Sequence, residues 1–555
     1  MPVLRLSASR LLRLTGIEDL SLSDLLALLP RLKCEAKLVD EDVIEVEVDR
    51  DRPDLFSAEG IAKAIRMYLW VEKPRKVSLE SIAFRVRVDP PRKRPYIAIA
   101  AVEGVQLGDT GLEELIQFQE KIHLSYGRRK RVAIGLHDLN KLPCSDLEYR
   151  YVDVKTKMIP LHHREPMTVL EVLENTEQGR EYGSIARDGD LHPAILSCGE
   201  VISLPPVINS DITRLEPSTR NILIDVTGTD PRIVEDVLNV IVHVLSHYGG
   251  KIYGAQIIYP HDTVVTPSLS WRRMVVDRSF AEEWLGIEIP RGIDLARLLE
   301  RMGLVLVEDR DTEFIVEVPP YRIDILHPVD VLEDLAMAMG YDNIAPEPIE
   351  VAVRAKRSPL EKLVDSLRDL AIGLGYVEIR SLTLISSELL KLLGLDNYAA
   401  IENPLQRELD ALRPSPLPSL MQVLKHSQHA THPVKVFEVG EALIRDPRSS
   451  TGWSTRILMG LAILNSIIKF EDMHADVFAI LRSLGLEPET RRPSERLAYC
   501  IEGRSAVIKV CGENIGMLCE INPSVLESLG IEHPVAYAEI DVEKLLSVLE
   551  RMKRL

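Results

Sequence analysis

A chain of 555 residues with 67 Lys and Arg against 85 Asp and Glu carries a formal charge of −18. That balance excludes a protein that coats nucleic acid without regard to sequence, although a local basic patch can still meet RNA. Apolar content of 46% and charged content of 27% are those of ordinary soluble globular protein, and the length calls for about three to five domains. No apolar run approaches the ~20 residues of a membrane span, and Met1 to Arg10 lacks the apolar core of a signal peptide. Cys34, Cys144, Cys198, Cys500, Cys511 and Cys519 form no CxxC pair and no zinc-finger spacing. They read as buried or incidental thiols of a reducing compartment, so the expected location is cytoplasmic, with neither membrane nor DNA as partner.

Residues 1–75 read as a small α/β module. Val43 to Val48 alternates apolar and acidic residues like a half-buried strand, and Arg52-Pro-Asp-Leu-Phe leads into a helix from Ser57. Arg75 to Pro95 reads as a connector, followed by a strand at Tyr96 to Val102. Residues 96–262 form a mixed α/β domain: an amphipathic helix over Leu112 to Ser125, strands at Val132 to Leu136 and Asn221 to Gly228, and an apolar helix from Asp236 to Tyr248. A domain over 266–346 begins with a strand at Arg272 to Val276 and a helix near Asp294 to Met302. Residues 355–555 begin with a long helix, Leu360 to Leu374. Strands follow at Val377 to Ile385, Val434 to Val439, Ile457 to Leu464, Ala506 to Val510 and Gly516 to Glu520.

The densest chemistry lies in Val318 to Ile344. Pro328 suits a first helical turn and Gly340 a helix end, so the spacing predicts a helix over Pro328 to Met339. Asp330, Glu333 and Asp334 share one face of it, opposite Val331, Leu332, Leu335, Ala336 and Met339. Asp324, in an extended Tyr-Arg-Ile-Asp-Ile run, is expected to join them by a reversal through His327-Pro328. Such a set either is a solvated acidic face or holds a hard cation such as Mg2+.

In chain order, Arg52-Pro-Asp-Leu-Phe-Ser-Ala-Glu-Gly, Gln119-Glu-Lys-Ile-His, Val132-Ala-Ile-Gly-Leu-His-Asp-Leu, Gly179-Arg-Glu-Tyr, Leu204-Pro-Pro-Val-Ile-Asn-Ser, Ile224-Asp-Val-Thr-Gly, the acidic stretch and Lys435-Val-Phe-Glu-Val-Gly-Glu together resemble the phenylalanyl-tRNA synthetase beta-subunit family, archaeal or eukaryotic type. The resemblance implies an α+β or mixed α/β multidomain chain, with an α/β tRNA-editing domain at 96–262, a metal-bearing fifth-module domain at 266–346, and a class II synthetase-like antiparallel-sheet domain at 355–555 that lacks the active site. It implies an alpha-subunit partner in an α2β2 heterotetramer, tRNA(Phe) as ligand, and ATP used by the complex without being bound by this chain. Mg2+ shared with the alpha subunit would lie on Asp324, Asp330, Glu333 and Asp334.

The editing site, hydrolysing mischarged Tyr-tRNA(Phe), would draw on Asn209, Asp225, Thr227 and His137, with Ser210 and Asp138 nearby. Gln119, Lys121, Arg128, Arg129, Lys130 and Arg131 would contact tRNA. No glycine-rich run with a phosphate-binding arginine appears between 355 and 555, in line with charging on the alpha chain. Pro414 and Pro416 depart from the family pattern around Arg413, which reads either as an interface residue or as a surface ion pair. Two rival readings are an editing-inactive scaffold or RNA-binding subunit, and a free-standing aminoacyl-tRNA deacylase.

Overall fold

The computed structural model describes residues 2–127, 130–346 and 354–554, in two compact units divided at Pro348 and Ile349. Among the described residues no helix is long and apolar enough to cross a membrane. Arg128 and Arg129 lie outside the described residues.

The first unit opens with a three-stranded antiparallel sheet in which Val43–Val48 lies between Val3–Ser7 and Cys34–Asp40. The period-two alternation buries Ile44, Val46 and Val48 and turns Glu45 and Glu47 outward. Ser57 caps the helix Ala58–Tyr68 by accepting from the Gly60 N–H at 3.1 Å. Only glycine fits there, because a Cβ at position 60 would stand 1.8 Å from the Asp54 carbonyl oxygen.

A ten-stranded mixed sheet forms the centre of this unit. Tyr96–Glu103, Asn221–Gly228 and Val132–Asp138 are consecutive antiparallel neighbours in it. The helix Pro231–Ser246, capped by Asp230 with proline at its start, packs Val234, Val237, Leu238, Ile241 and Leu245 against the first two. The expected connector Arg75 to Pro95 is corrected. Within it, Ile82–Val88 is an inner strand, parallel to both Lys251–Ile258 and Asp146–Asp153, with Phe84, Val86 and Val88 buried. Thr263–Thr266 adds a further strand beside Lys251–Ile258, so the sheet runs past residue 262.

Residues 272–340 build a smaller layer. Glu313–Val318 is central between Arg272–Asp277 and Val305–Asp309, covered by helices Arg278–Leu285, Gly292–Arg301 and Pro328–Met339. The last of these has the bounds the sequence predicts: His327 caps it, Asp330 reaches back to the chain ahead of it, and Gly340 ends it at φ +84°. The segment Tyr321 to Ile325 is turn and coil rather than extended.

In the second unit a seven-stranded sheet is antiparallel except for the pairing of Val377–Glu378 with Val434–Arg445. Helices Pro359–Gly373, Phe470–Ser483 and Val542–Arg554 cover one apolar cluster, and Leu417–Ser427 and Pro523–Leu529 contribute to another. The single strand expected over Val377 to Ile385 is instead two short strands in different sheets, Val377–Glu378 and Leu384–Ile385. The cysteine expectation is also corrected. Cys144 pairs with Cys198 and Cys500 with Cys519 as disulfides, leaving Cys34 buried and Cys511 exposed as free thiols. Cys144 and Cys198 flank the ends of the paired strands Asp146–Asp153 and Leu191–Ser197, and Cys500 and Cys519 lie on the paired strands Cys500–Val510 and Glu513–Ile521, which spacing alone does not reveal.

Candidate functional site

A cleft of about 620 Å³ opens on the central sheet. Its apolar wall includes Leu112, Ile116, Leu136, Leu161, Pro205 and Val207, and its polar groups include Gln119, Ser203, Asn209, Ser210, Thr213 and Asp225. Glu120, His162, His163, Gln178 and Arg214 also line it, so the cleft is mixed in character, with convergent polar groups of the kind that orient a ligand. Two candidate editing residues, Asn209 and Asp225, thus meet in one place. Asn209 is held by its own amide, which donates to the Leu136 carbonyl at 3.2 Å and accepts from Ser203 Oγ at 3.0 Å.

The register of the sheet sets Asp225 opposite Gly135, with His137 and Leu223 the next pair on that face. Asp225 Oδ2 accepts from His137 Nε2 at 2.8 Å, and His137 Nδ1 lies 2.7 Å from Thr213 Oγ1. His137 is fully buried and does not line the cleft; it stands behind Asp225. A carboxylate only accepts, so Nε2 carries the hydrogen.

The other predicted residues lie apart from this pair. Thr227 shares the strand face but is covered by Arg94, whose Nε donates to its Oγ1 at 2.8 Å and whose Nη2 donates to its carbonyl at 2.7 Å. Thr227 is fully buried and does not line the cleft. Burial lowers the Arg94 guanidinium to about 10. Asp138 accepts from the Asn140 N–H and from Thr219 Oγ1 at 2.7 Å, a turn cap. Ser210 lines the cleft, but its hydroxyl donates to the Ile159 carbonyl.

Among the basic candidates, Gln119 lines the cleft and donates to the Ile134 carbonyl, while Lys121 borders a neighbouring cleft with Arg50 and Glu120. Lys130 and Arg131 are exposed at the turn before Val132–Asp138. Sequence reasoning missed Ser203 and Thr213. Ser203 sits one residue before the Leu204-Pro-Pro motif and was findable on that ground; Thr213 stands in a short helical turn with no distinguishing neighbour.

The four acids of the 318–344 stretch divide. Arg322 binds Asp324 through Nε and Nη2, reaches Asp334 from Nη2 at 2.8 Å, and donates from Nη1 to the Met302 carbonyl. Burial works against charge on Asp324, yet Arg322 and Arg52 hold its carboxyl below the ordinary range. Burial raises the Asp334 carboxyl to about 6, with Arg322 opposing. Asp330 accepts from the Leu326 and His327 N–H groups at 2.7 Å, and Glu333 pairs with Lys33 at 2.8 Å.

In this chain by itself the four acids turn to different partners. A guanidinium already neutralises Asp324 and Asp334, and among the described residues no three His, Cys, Asp or Glu side chains are grouped to hold a metal. Arg413 is likewise neither an interface residue nor a surface pair. It is buried, with two nitrogens on Glu438 and further bonds to Ser381, Ser419 and the Glu441 carbonyl.

Residues 346–542 match the family model for the phenylalanyl tRNA synthetase beta chain CLM domain, and residues 274–341 match the tRNA synthetase B5 domain. The phenylalanine–tRNA ligase beta subunit of Sulfurisphaera tokodaii is 38% identical over 99% of this chain and 100% of its own length. That of Aeropyrum pernix is 40% identical over 98% of this chain and 99% of its own. A crystal structure of an N-terminal fragment of the phenylalanyl-tRNA synthetase beta subunit from Pyrococcus horikoshii is 36% identical, with a TM-score of 0.58, and covers 61% of this chain and 100% of that one. With near-complete coverage in both directions, the chain belongs to the phenylalanine–tRNA ligase beta-subunit family.

Proposed function

We propose that this chain joins an alpha subunit in a cytoplasmic α2β2 phenylalanyl-tRNA synthetase and hydrolyses Tyr-tRNA(Phe) in the cleft at Asp225. The observation that supports it best is a carboxylate and an amide, Asp225 and Asn209, set together in one cleft of mixed polar and apolar lining. An apolar pocket rejects an added hydroxyl only about a hundredfold, so charging of phenylalanine gains from a second, hydrolytic sieve. In that sieve Asp225 accepts a hydrogen bond from the tyrosine phenol or from its ammonium group, and Asn209 holds the rim of the cleft. Water adds to the ester carbonyl, the ribose oxygen leaves, and tyrosine and tRNA(Phe) are released. Positioning and oxyanion stabilisation carry most of such a reaction.

In the same reading, ATP and phenylalanine are handled by the alpha chain, and residues 355–555 serve as a class II-like antiparallel scaffold. Gln119, Lys121, Lys130 and Arg131, with Arg128 and Arg129, meet the acceptor end of the tRNA. Asp324 and Asp334 are buried on Arg322, whereas Glu333, paired with Lys33, and Asp330, bonded to two backbone N–H groups, are more exposed, so Mg2+ shared with the alpha subunit would reach these two through water.

Co-expression with the cognate alpha subunit tests the proposal. Phenylalanylation should require both chains, and Tyr-tRNA(Phe) hydrolysis should be lost in Asp225→Ala with charging retained. Hydrolysis by the isolated chain would favour the free deacylase, and charging with no hydrolysis would favour the scaffold.

A further inference from the structure

Asp225 is held by residues the proposed reaction does not itself use: Thr213 and Gly135 at the cleft wall and His137 behind it. Thr213, His137 and Asp225 form one hydrogen-bonded chain, 2.7 Å and 2.8 Å at its two links, and all three side chains are buried. They come from three separate places: the short turn Asp211–Thr213, the strand Val132–Asp138 and the strand Asn221–Gly228. The floor beneath the carboxylate is Gly135, where a Cβ would lie 1.9 Å from Asp225 Oδ2 and 3.0 Å from His137 Nε2. The carboxylate therefore occupies the volume a side chain at 135 would take.

We propose that Thr213 and His137 are positioning residues for Asp225, locking its Oδ2 so that Oδ1 is the oxygen left to meet the aminoacyl group. The inference rests on the proposed hydrolytic reading of the cleft and deepens it. A carboxylate free to rotate presents either oxygen in several directions. With Oδ2 tied to Nε2–H, and the ring itself tied at Nδ1 by the Thr213 hydroxyl, its torsion is set before substrate arrives. Preorganisation of this kind acts on the rate of the bound complex more than on its formation. His137 thus works neither as general base nor as substrate contact; it is enclosed and meets the cleft only through Asp225 and Thr213, which line it.

The test uses the co-expressed alpha–beta complex and Tyr-tRNA(Phe) in single-turnover hydrolysis, with phenylalanylation as the control for folding and assembly. Thr213→Val keeps the side-chain shape and removes the hydroxyl. It should lower the saturating hydrolysis rate about tenfold or more, leave the half-saturating concentration within about twofold, and leave charging unchanged. Thr213→Ser should restore the rate. His137→Gln, whose amide, like the neutral ring, offers both an N–H donor and an acceptor, should retain more activity than His137→Ala.

Wild-type hydrolysis in both Thr213→Val and His137→Ala, with hydrolysis lost in Asp225→Ala, overturns the positioning role and leaves the cleft assignment standing. Wild-type hydrolysis in Asp225→Ala overturns the assignment and the inference together. A parallel loss of charging and thermal stability in Thr213→Val overturns the inference by making the residue's role purely structural.

Discussion

Gly135 shows how one missing side chain holds a site. Gly135→Ala would put a methyl group where Asp225 Oδ2 now lies, so the carboxylate must leave its place. The expected outcome is loss of Tyr-tRNA(Phe) hydrolysis with phenylalanylation by the complex preserved, measured side by side. His192 gives a separate residue-scale prediction. It is fully buried, its Nδ1 bonds the Pro193 carbonyl, and among the described residues its Nε2 has no hydrogen-bond partner. Burial lowers the imidazole from 6.5 to about 4.

Between those pH values the unfolded chain binds a proton that the folded chain does not. Stability therefore falls as pH drops from 6.5 towards 4, by an order of about 3 kcal/mol when the whole shift is traversed. Urea unfolding at pH 4.5 and 7 should show a smaller pH difference in His192→Phe than in the wild type. Asp225 and Asn209 entered the candidate set through the motifs Ile224-Asp-Val-Thr-Gly and Leu204-Pro-Pro-Val-Ile-Asn-Ser of the family resemblance. The cover over Thr227 was not legible, because Arg94 comes from a Pro-Pro-Arg-Lys-Arg segment more than a hundred residues away, which reads as connector.

At the scale of elements, the helix Pro328–Met339 was readable in full. Proline, a capping side chain and glycine act within one turn of where they stand. The use of its acids was not readable, because Arg322 enters from the preceding turn and takes the centre of the expected metal cluster. Breaking a buried ion pair leaves charge without a partner, so Arg322→Met should destabilise the chain by roughly 3–5 kcal/mol. Adding Asp324→Asn and Asp334→Asn to that variant should recover part of the loss. Chemical denaturation of the single and triple variants measures both effects; equal stability of wild type and Arg322→Met would remove the triad as a structural lock.

For the whole molecule, assembly with the alpha subunit is the relevant quantity. If Glu333 and Asp330 carry the shared Mg2+, Glu333→Gln with Asp330→Asn should weaken assembly in Mg2+ and leave it unchanged in chelator. Sedimentation of the mixed chains under both conditions measures this, and an equal effect in both would remove Mg2+ from the seam.

What the sequence determined by itself was local. Periodicity and caps set the helices Ala58–Tyr68, Pro328–Met339 and Pro359–Gly373 and the strands Val43–Val48 and Asn221–Gly228, and a string of motifs in family order identified the family. Only the tertiary structure decided that Ile82–Val88 lies inside the central sheet, that Cys144 meets Cys198, that Arg94 covers Thr227, and that Arg322 stands where a cation was expected. The physical reason is the range of the interactions. A cap or an amphipathic face is satisfied by residues a few positions away, whereas strand order, disulfide pairing and the neutralisation of a buried charge are satisfied by whatever the packed chain brings alongside.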